Sequence, residues 1–276
     1  MQKYSIQPQF IAGGKGNLFC IKVIAGQNKH PGHTILILPP FAEEMNKSRH
    51  MLANITYLSA QLGYDVVSFD LFGTGDSQGE FGESTWDIWI DDIFTMLHWL
   101  KASNTDTISL IALRTGSLFL EPILQNSPLN IDKLILWQPV INGGLFLNQF
   151  IRLKLAADMM ADSTTRISAK DIRHQLENGN PFEIAGYMLN PELYNPMANL
   201  NLASLQHVTC PAIYWYEIAP SLEQTFTPAS QRVIDELKQA GIKIHLTPIQ
   251  GPQFWSTAEI TEVQTLLDET LSILKG

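Results

Sequence analysis

The stretch from Thr107 to Leu124 reads "TISLIALRTGSLFLEPIL": an apolar run, a turn of small residues, then a second apolar run at helical spacing. A strand that turns sharply into a helix lifts its apex side chain clear of the fold. Enzymes use such an apex for a nucleophile, in a small-x-nucleophile-x-small pattern, because the strained turn presses backbone against helix. Ala112 and Gly116 take the small positions, so the apex is Arg114. An apex at Thr115 would put Leu113 and Ser117 at the small positions, and one at Ser117 would put Thr115 and Phe119 there; both fit worse. Arginine stays protonated and only donates hydrogen bonds, so Arg114 is neither nucleophile nor base. Its chemistry is to hold a negative charge in the guanidinium fork.

The elements around this turn alternate strand and helix, the pattern of a largely parallel sheet covered on both faces. "LFCIKVIA" (18–25) alternates apolar and polar residues, as a half-buried edge strand does, and a weaker strand is expected before it. "HTILILPP" (33–40) is a buried strand stopped by prolines. A helix is expected to start near Lys47 or Ser48 and to end near Gly63, with Met51, Ile55, Leu58 and Leu62 on one face. "YDVVSFDL" is the next strand. Ser84 or Thr85 caps a long amphipathic helix carrying Trp86, Trp89 and Trp99 as packing residues. "TISLIAL" and "IDKLILW" flank a helix that begins at Thr115. Residues 143–205 break the rhythm and read as an inserted helical cap, dividing the core into 1–142 and 206–276. The phenylalanines and methionines of its helix "LFLNQFIRLKLAADMM" either pack on the sheet or line an acyl-chain channel. The core resumes as strand "PAIYWYEI", helix "TPASQRVIDELKQAG", strand "IKIHLTPI" and closing helix "STAEITEVQTLLDETLSILKG".

About eight mostly parallel strands with helices on both faces, and a cap between the sixth and seventh, resemble the α/β-hydrolase fold over nearly the whole chain. The resemblance implies an acid after the strand "PAIYWY", where the loop "EIAPSLEQ" offers Glu217 as the candidate. It implies a histidine in the turn after the last strand, where "GPQFW" has Gln253. The seven histidines (30, 33, 50, 98, 174, 207 and 245) lie elsewhere. The Ser-His-Asp relay is therefore missing at all three positions. The fold also implies two oxyanion donors, the N–H of Thr115 and that of Phe41 or Ala42.

A cation at a helix N-terminus is unfavourable by roughly 0.3–1 kcal/mol, so Arg114 calls for an anion. One source is internal, Glu43 or Glu44 of "PPFAEEMNKSRH"; the other is the carboxylate or phosphate of a ligand, and a glutamate could also orient the arginine towards it. Asn46, Lys47 and Arg49 are either surface residues or an extension of this polar site. Asp70, Asp76 and Ser77 of "DLFGTGDSQG" either shape the turn or contact a ligand. An acid–base pair of Asp70 and Asp76, or a metal shared with Glu43, has no ligand motif behind it. Trp137 and Trp255, at element ends, are candidate lining residues. No cofactor is expected.

More narrowly, "LPPFAEEMNKSRHM", "FDLFGTGDSQGEFGESTWDIWIDDI", "ALRTGSL" and "GPQFWSTAEI" resemble the exosortase-A-system-associated hydrolases of the second type. That resemblance implies a setting in bacterial gene clusters for exopolysaccharide production and PEP-CTERM protein sorting. It names no substrate, and fold alone does not fix function.

Composition narrows the classes further. With 276 residues, 45% hydrophobic and 16% charged, the chain has material for a sizeable core. A net charge of −9 argues against nucleic acid as the main partner. Cys20 and Cys210 have no metal-ligand spacing and fit a reducing compartment. "MQKYSIQPQFIAGG" lacks the signal-peptide pattern, and no run approaches the roughly 20 apolar residues of a membrane span, so a cytoplasmic protein is expected. Three functions stay open. One is a binder of a small anionic or polar ligand, or of a partner protein. The second is a hydrolase or acyltransferase with displaced groups, its water activated by Glu43, Glu44 or Asp76. The third is a scaffold.

Overall fold

The computed structural model describes residues 4–160, 167–222 and 226–275. Its main sheet is built from β1 (Tyr4–Ala12), β2 (Asn17–Ala25), β3 (His33–Leu38), β4 (Asp65–Phe69), β5 (Thr107–Leu113), β6 (Asn130–Trp137), β9 (Ala212–Ala219) and β10 (Ile244–Gln250). A separate hairpin, β7 (Phe182–Ile184) and β8 (Tyr187–Leu189), lies in the inserted region. The eight strands run in the order β1-β2-β4-β3-β5-β6-β9-β10. β2 is antiparallel to both β1 and β4, and every other pair is parallel. This is the α/β-hydrolase fold expected from the sequence.

The central strands are apolar throughout because both faces are covered. On one face, α1 (Glu43–Leu62) and α8 (Gln264–Lys275) pack on Ile35, Ile37, Ile111, Ile135 and Trp137. On the other, α2 (Trp86–Ala102), α3 (Leu120–Asn126), α7 (Pro228–Gln239) and the cap bury Leu36, Leu38, Leu110 and Leu136. Thr85 caps α2 by accepting the Ile88 N–H at 3.2 Å, and Gly63 ends α1 with φ +105°.

Four expectations are corrected. The strand "LFCIKVIA" is not an edge: β1 takes that place, and the alternation in β2 reflects a face that α1 covers only in part. α1 begins at Glu43, ahead of Lys47 and Ser48, with Glu43 and Glu44 in its first turn, where carboxylates suit the helix dipole. The closing helix starts only at Gln264. The cap is not all helical: α4 (Gly143–Met160), α5 (Ala169–Glu177) and α6 (Pro191–Ala198) are joined by the β7–β8 hairpin. Ala185 and Gly186 both have positive φ at the tip of that hairpin, as a two-residue turn requires. The cap's base is zipped by Gly143 N–H to Leu200 O at 3.0 Å and Leu202 N–H to Ile141 O at 2.9 Å. Phe146 and Phe150 of α4 pack into the core; the side chains of Met159 and Met160 lie outside the described ones.

Candidate functional site

Arg114 follows β5 directly and holds φ at +52°, a left-handed conformation that costs an L-residue roughly 1–2 kcal/mol. The surroundings enforce it. A Cβ on Gly116 would stand 2.6 Å from the Leu38 carbonyl oxygen, so only glycine lets the turn close against the end of β3. Ala112 is fully buried. The Arg114 carbonyl accepts the Val140 N–H at 3.1 Å and the Ser117 hydroxyl at 2.8 Å. The residues after the apex wind as a 3₁₀ helix, Arg114–Phe119, before α3 begins at Leu120. An α-helix starting at Thr115 is therefore corrected, and the full helix dipole does not begin at the apex.

The guanidinium is held on several sides. Its Nε donates to both Glu44 oxygens at 3.2 Å, and Nη2 donates to Oε1 at 3.0 Å. Nη1 reaches the Gln138 carbonyl at 3.4 Å. The Trp255 ring lies 5.1 Å from Cζ and the Phe146 ring 5.8 Å, within reach of cation–π attraction. The pair is largely enclosed, with the Arg114 and Glu44 side chains 14% and 20% exposed. Burial pushes the Glu44 carboxyl above its usual range, and the Arg114 charge pulls against that shift. Of the two anions the sequence offered, Glu44 is the one that meets the arginine. Glu43 accepts instead from the Tyr187 hydroxyl at 3.1 Å and the Asn46 amide at 3.2 Å.

Above the pair opens a cavity of about 270 Å³. Phe41, Phe146, Phe150, Leu153 and Trp255 form its apolar walls; Glu43, Glu44, Lys47, Arg114, Gln149, Gln253 and Ser256 supply polar groups. Lys47 Nζ donates to the Ser256 carbonyl at 3.2 Å. None of the seven histidines lines this cavity.

The other sequence candidates divide. Gln253 and Trp255 line the cavity. Trp137 does not: it is fully buried, and its Nε1 donates to Thr270 of α8 at 3.0 Å. Arg49 and Asp70 line a different cavity, on the α1 face. The Asp70 carboxylate accepts the Asp76 N–H at 2.9 Å, so these aspartates shape their turn and do not join Glu43. Asn46 acts through Glu43. Phe41 lines the cavity, whereas Ala42 and Thr115 are buried beside it. Glu217 is buried at the end of β9, where its Oε1 accepts from Ser230 of α7 at 2.6 Å. Its Oε2 has no hydrogen-bond partner among the described residues, and burial raises its pKa. Residues 223–225 of the same loop lie outside the described residues.

Reading the sequence missed Gln149, Leu153 and Tyr187. The first two share one face of α4 with Phe146 and Phe150, a spacing visible in "FLNQFIRL". Tyr187 carries no such signal, because only the folded hairpin brings it 144 residues back to Glu43.

Residues 29–203 match the family described as serine aminopeptidase, S33. No curated protein matches the chain. Among solved structures, the chain is similar to Est1E from Butyrivibrio proteoclasticus, with TM-score 0.64 and 13% identity over 98% of this chain and 99% of that one. It is similar to the Pyrococcus furiosus esterase Pf2001, with TM-score 0.60 and 13% identity over 99% and 90%. A proline iminopeptidase of Mycobacterium smegmatis gives 0.59 and 12% over 97% of each chain. At these identities the likeness is one of fold.

Proposed function

The chain belongs to the serine aminopeptidase S33 family of α/β-hydrolases, and we propose that it binds a small polar or anionic ligand at the elbow without a Ser-His-Asp relay. The observation that carries this reading is the Arg114–Glu44 pair at the apex itself. A guanidinium has five N–H donors. Glu44 and Gln138 engage three of them, which leaves two for a ligand oxygen. Glu44 then serves to fix the fork, and Lys47 adds a second cation at the rim. The aromatic walls suit a ligand with a flat apolar part, and a carboxylate or phosphate satisfies the remaining donors.

One alternative has its own support. Glu43 is a cavity-lining carboxylate that no arginine among the described residues neutralises, so it is the group that could activate a water. The likeness of "PPFAEEMNKSR" to the exosortase-A-associated hydrolases supports a role beside exopolysaccharide production, and a cytoplasmic location belongs to the same proposal.

The test is titration with benzoate and phenyl phosphate, followed by tryptophan fluorescence, with Trp255 as the reporter in the cavity. Saturable quenching in the native protein, weakened at least tenfold in Arg114→Ala and absent in Trp255→Phe, is the expected result. Equal affinity in native and Arg114→Ala proteins would make the arginine purely structural.

A further inference from the structure

A second cavity of about 220 Å³ lies on the opposite face of the sheet from the cap, between α1 and strands β2, β3 and β4. It shares no lining residue with the elbow site. Its walls are mostly apolar, with Ile21 and Val23 of β2, Ile37 of β3 and Leu52 of α1, and Asp70 and Ser68 are among its polar groups. Val23 and Ile37 line its inner side and are almost wholly shielded from solvent. Covering apolar surface of this kind with an apolar ligand is favourable.

The apolar surface continues outside the hollow. In the β1–β2 register Ile6 faces Val23 and Phe10 faces Phe19, and directly paired residues share one face of the sheet. Ile6 and Phe10 are 48% and 61% exposed. Arg49 also lines the cavity, and its side chain is 46% exposed. Its hydrogen bonds are long ones, 3.4 Å from Nη2 to each Asp70 oxygen. Its Nε and Nη1 have no partner among the described residues.

From this apolar hollow with one half-free guanidinium at its edge, we infer that the α1 face holds the acyl chain of a single-chain anionic amphiphile of fatty-acid type. The chain runs over the partly exposed Ile21 and Ala53, and the carboxylate meets Arg49 at the edge. The volume is roughly seven times a water's share of the liquid, which limits the buried part of the chain to about as many carbons. This inference is independent of what the elbow cavity binds.

The experiment measures binding of hexanoate, octanoate, decanoate and decanol by displacement of cis-parinarate. At about 0.8 kcal/mol per buried methylene, each added methylene tightens binding about fourfold, until the chain outgrows the hollow. Arg49→Ala is expected to weaken octanoate about tenfold without changing the slope with chain length. Ala53→Phe, which fills the hollow from α1, is expected to abolish uptake while the thermal melt stays cooperative. Phe150→Ala, in the elbow cavity, is expected to leave uptake unchanged. Any of several results would overturn the inference. They are affinity independent of chain length, decanol binding as tightly as decanoate, and binding that survives Ala53→Phe but is lost in Phe150→Ala. A dimer broken by Phe10→Ser, with no amphiphile uptake, would do so as well, by giving the face to a second copy of the chain.

Discussion

Breaking the Arg114–Glu44 pair from its two ends should give losses that differ in their response to pH. Removing one partner of a buried pair costs about 3–5 kcal/mol, because the other charge is stranded. Here both side chains keep some exposure, 14% and 20%, so screening discounts this to roughly 2–3 kcal/mol. Arg114→Met strands Glu44, whose pKa burial already raises. That carboxyl can escape by taking a proton, so the loss should shrink as pH falls from 8 to 5. Glu44→Gln strands Arg114, which cannot deprotonate, so this variant has no such relief as pH falls. The double variant should be more stable than the sum of the single losses allows, with a coupling of about 1.5–2.5 kcal/mol at pH 8. Residue 114 keeps a Cβ throughout, so the strain of its positive φ cancels from the cycle. Urea unfolding at pH 5 and pH 8 measures all four proteins. Additive losses, or identical pH profiles for the two single variants, would refute the reasoning.

Other outcomes follow from the same structure. Asp92, buried in α2 and accepting the Phe72 N–H at 2.8 Å, has its pKa raised to about 7, chiefly by burial. A carboxyl raised in the folded state stabilises most below its unfolded pKa, and that contribution is lost as pH climbs through about 7. Asp92→Asn should therefore flatten the decline in stability between pH 5 and 8, and leave the variant about 1–3 kcal/mol more stable than native at pH 8, read by thermal melts across that range. Gly116→Ala should cost about 1–3 kcal/mol through overpacking, because its Cβ would press on the Leu38 carbonyl at 2.6 Å; urea unfolding reports the loss. Tyr187→Phe removes only the hydroxyl that binds Glu43 and should cost about 1 kcal/mol, leaving the ring's contact with Phe81.

Much of the fold was legible because buried parallel strands must be apolar on both faces, as "TILIL" and "LIAL" are. The elbow was legible too, since its steric demand falls on Ala112 and Gly116, two residues of the same short turn. Errors arose where tertiary contacts override local signals. α1 could begin at Glu43 because its first turn meets Arg114 and Tyr187, neither of which is near in sequence. Trp137 looked like a pocket residue from its place at a strand end, yet the side chain points to the α8 face, a choice that needed the sheet's handedness and the partner Thr270. The choice between Glu43 and Glu44 was open for the same reason. Adjacent residues on a helix point about a third of a turn apart, and only the folded cap shows which one each partner claims.

The apex of the elbow carries a cation fixed by Glu44, a group that is no nucleophile. Fluorophosphonate labelling of the purified native protein, with mass-spectrometric mapping of any adduct, tests this most directly. No specific adduct is expected, and none in Arg114→Ser either, because Gln253 lines the cavity beside Arg114 and no histidine does. A single stoichiometric adduct on any serine of the native protein would contradict it.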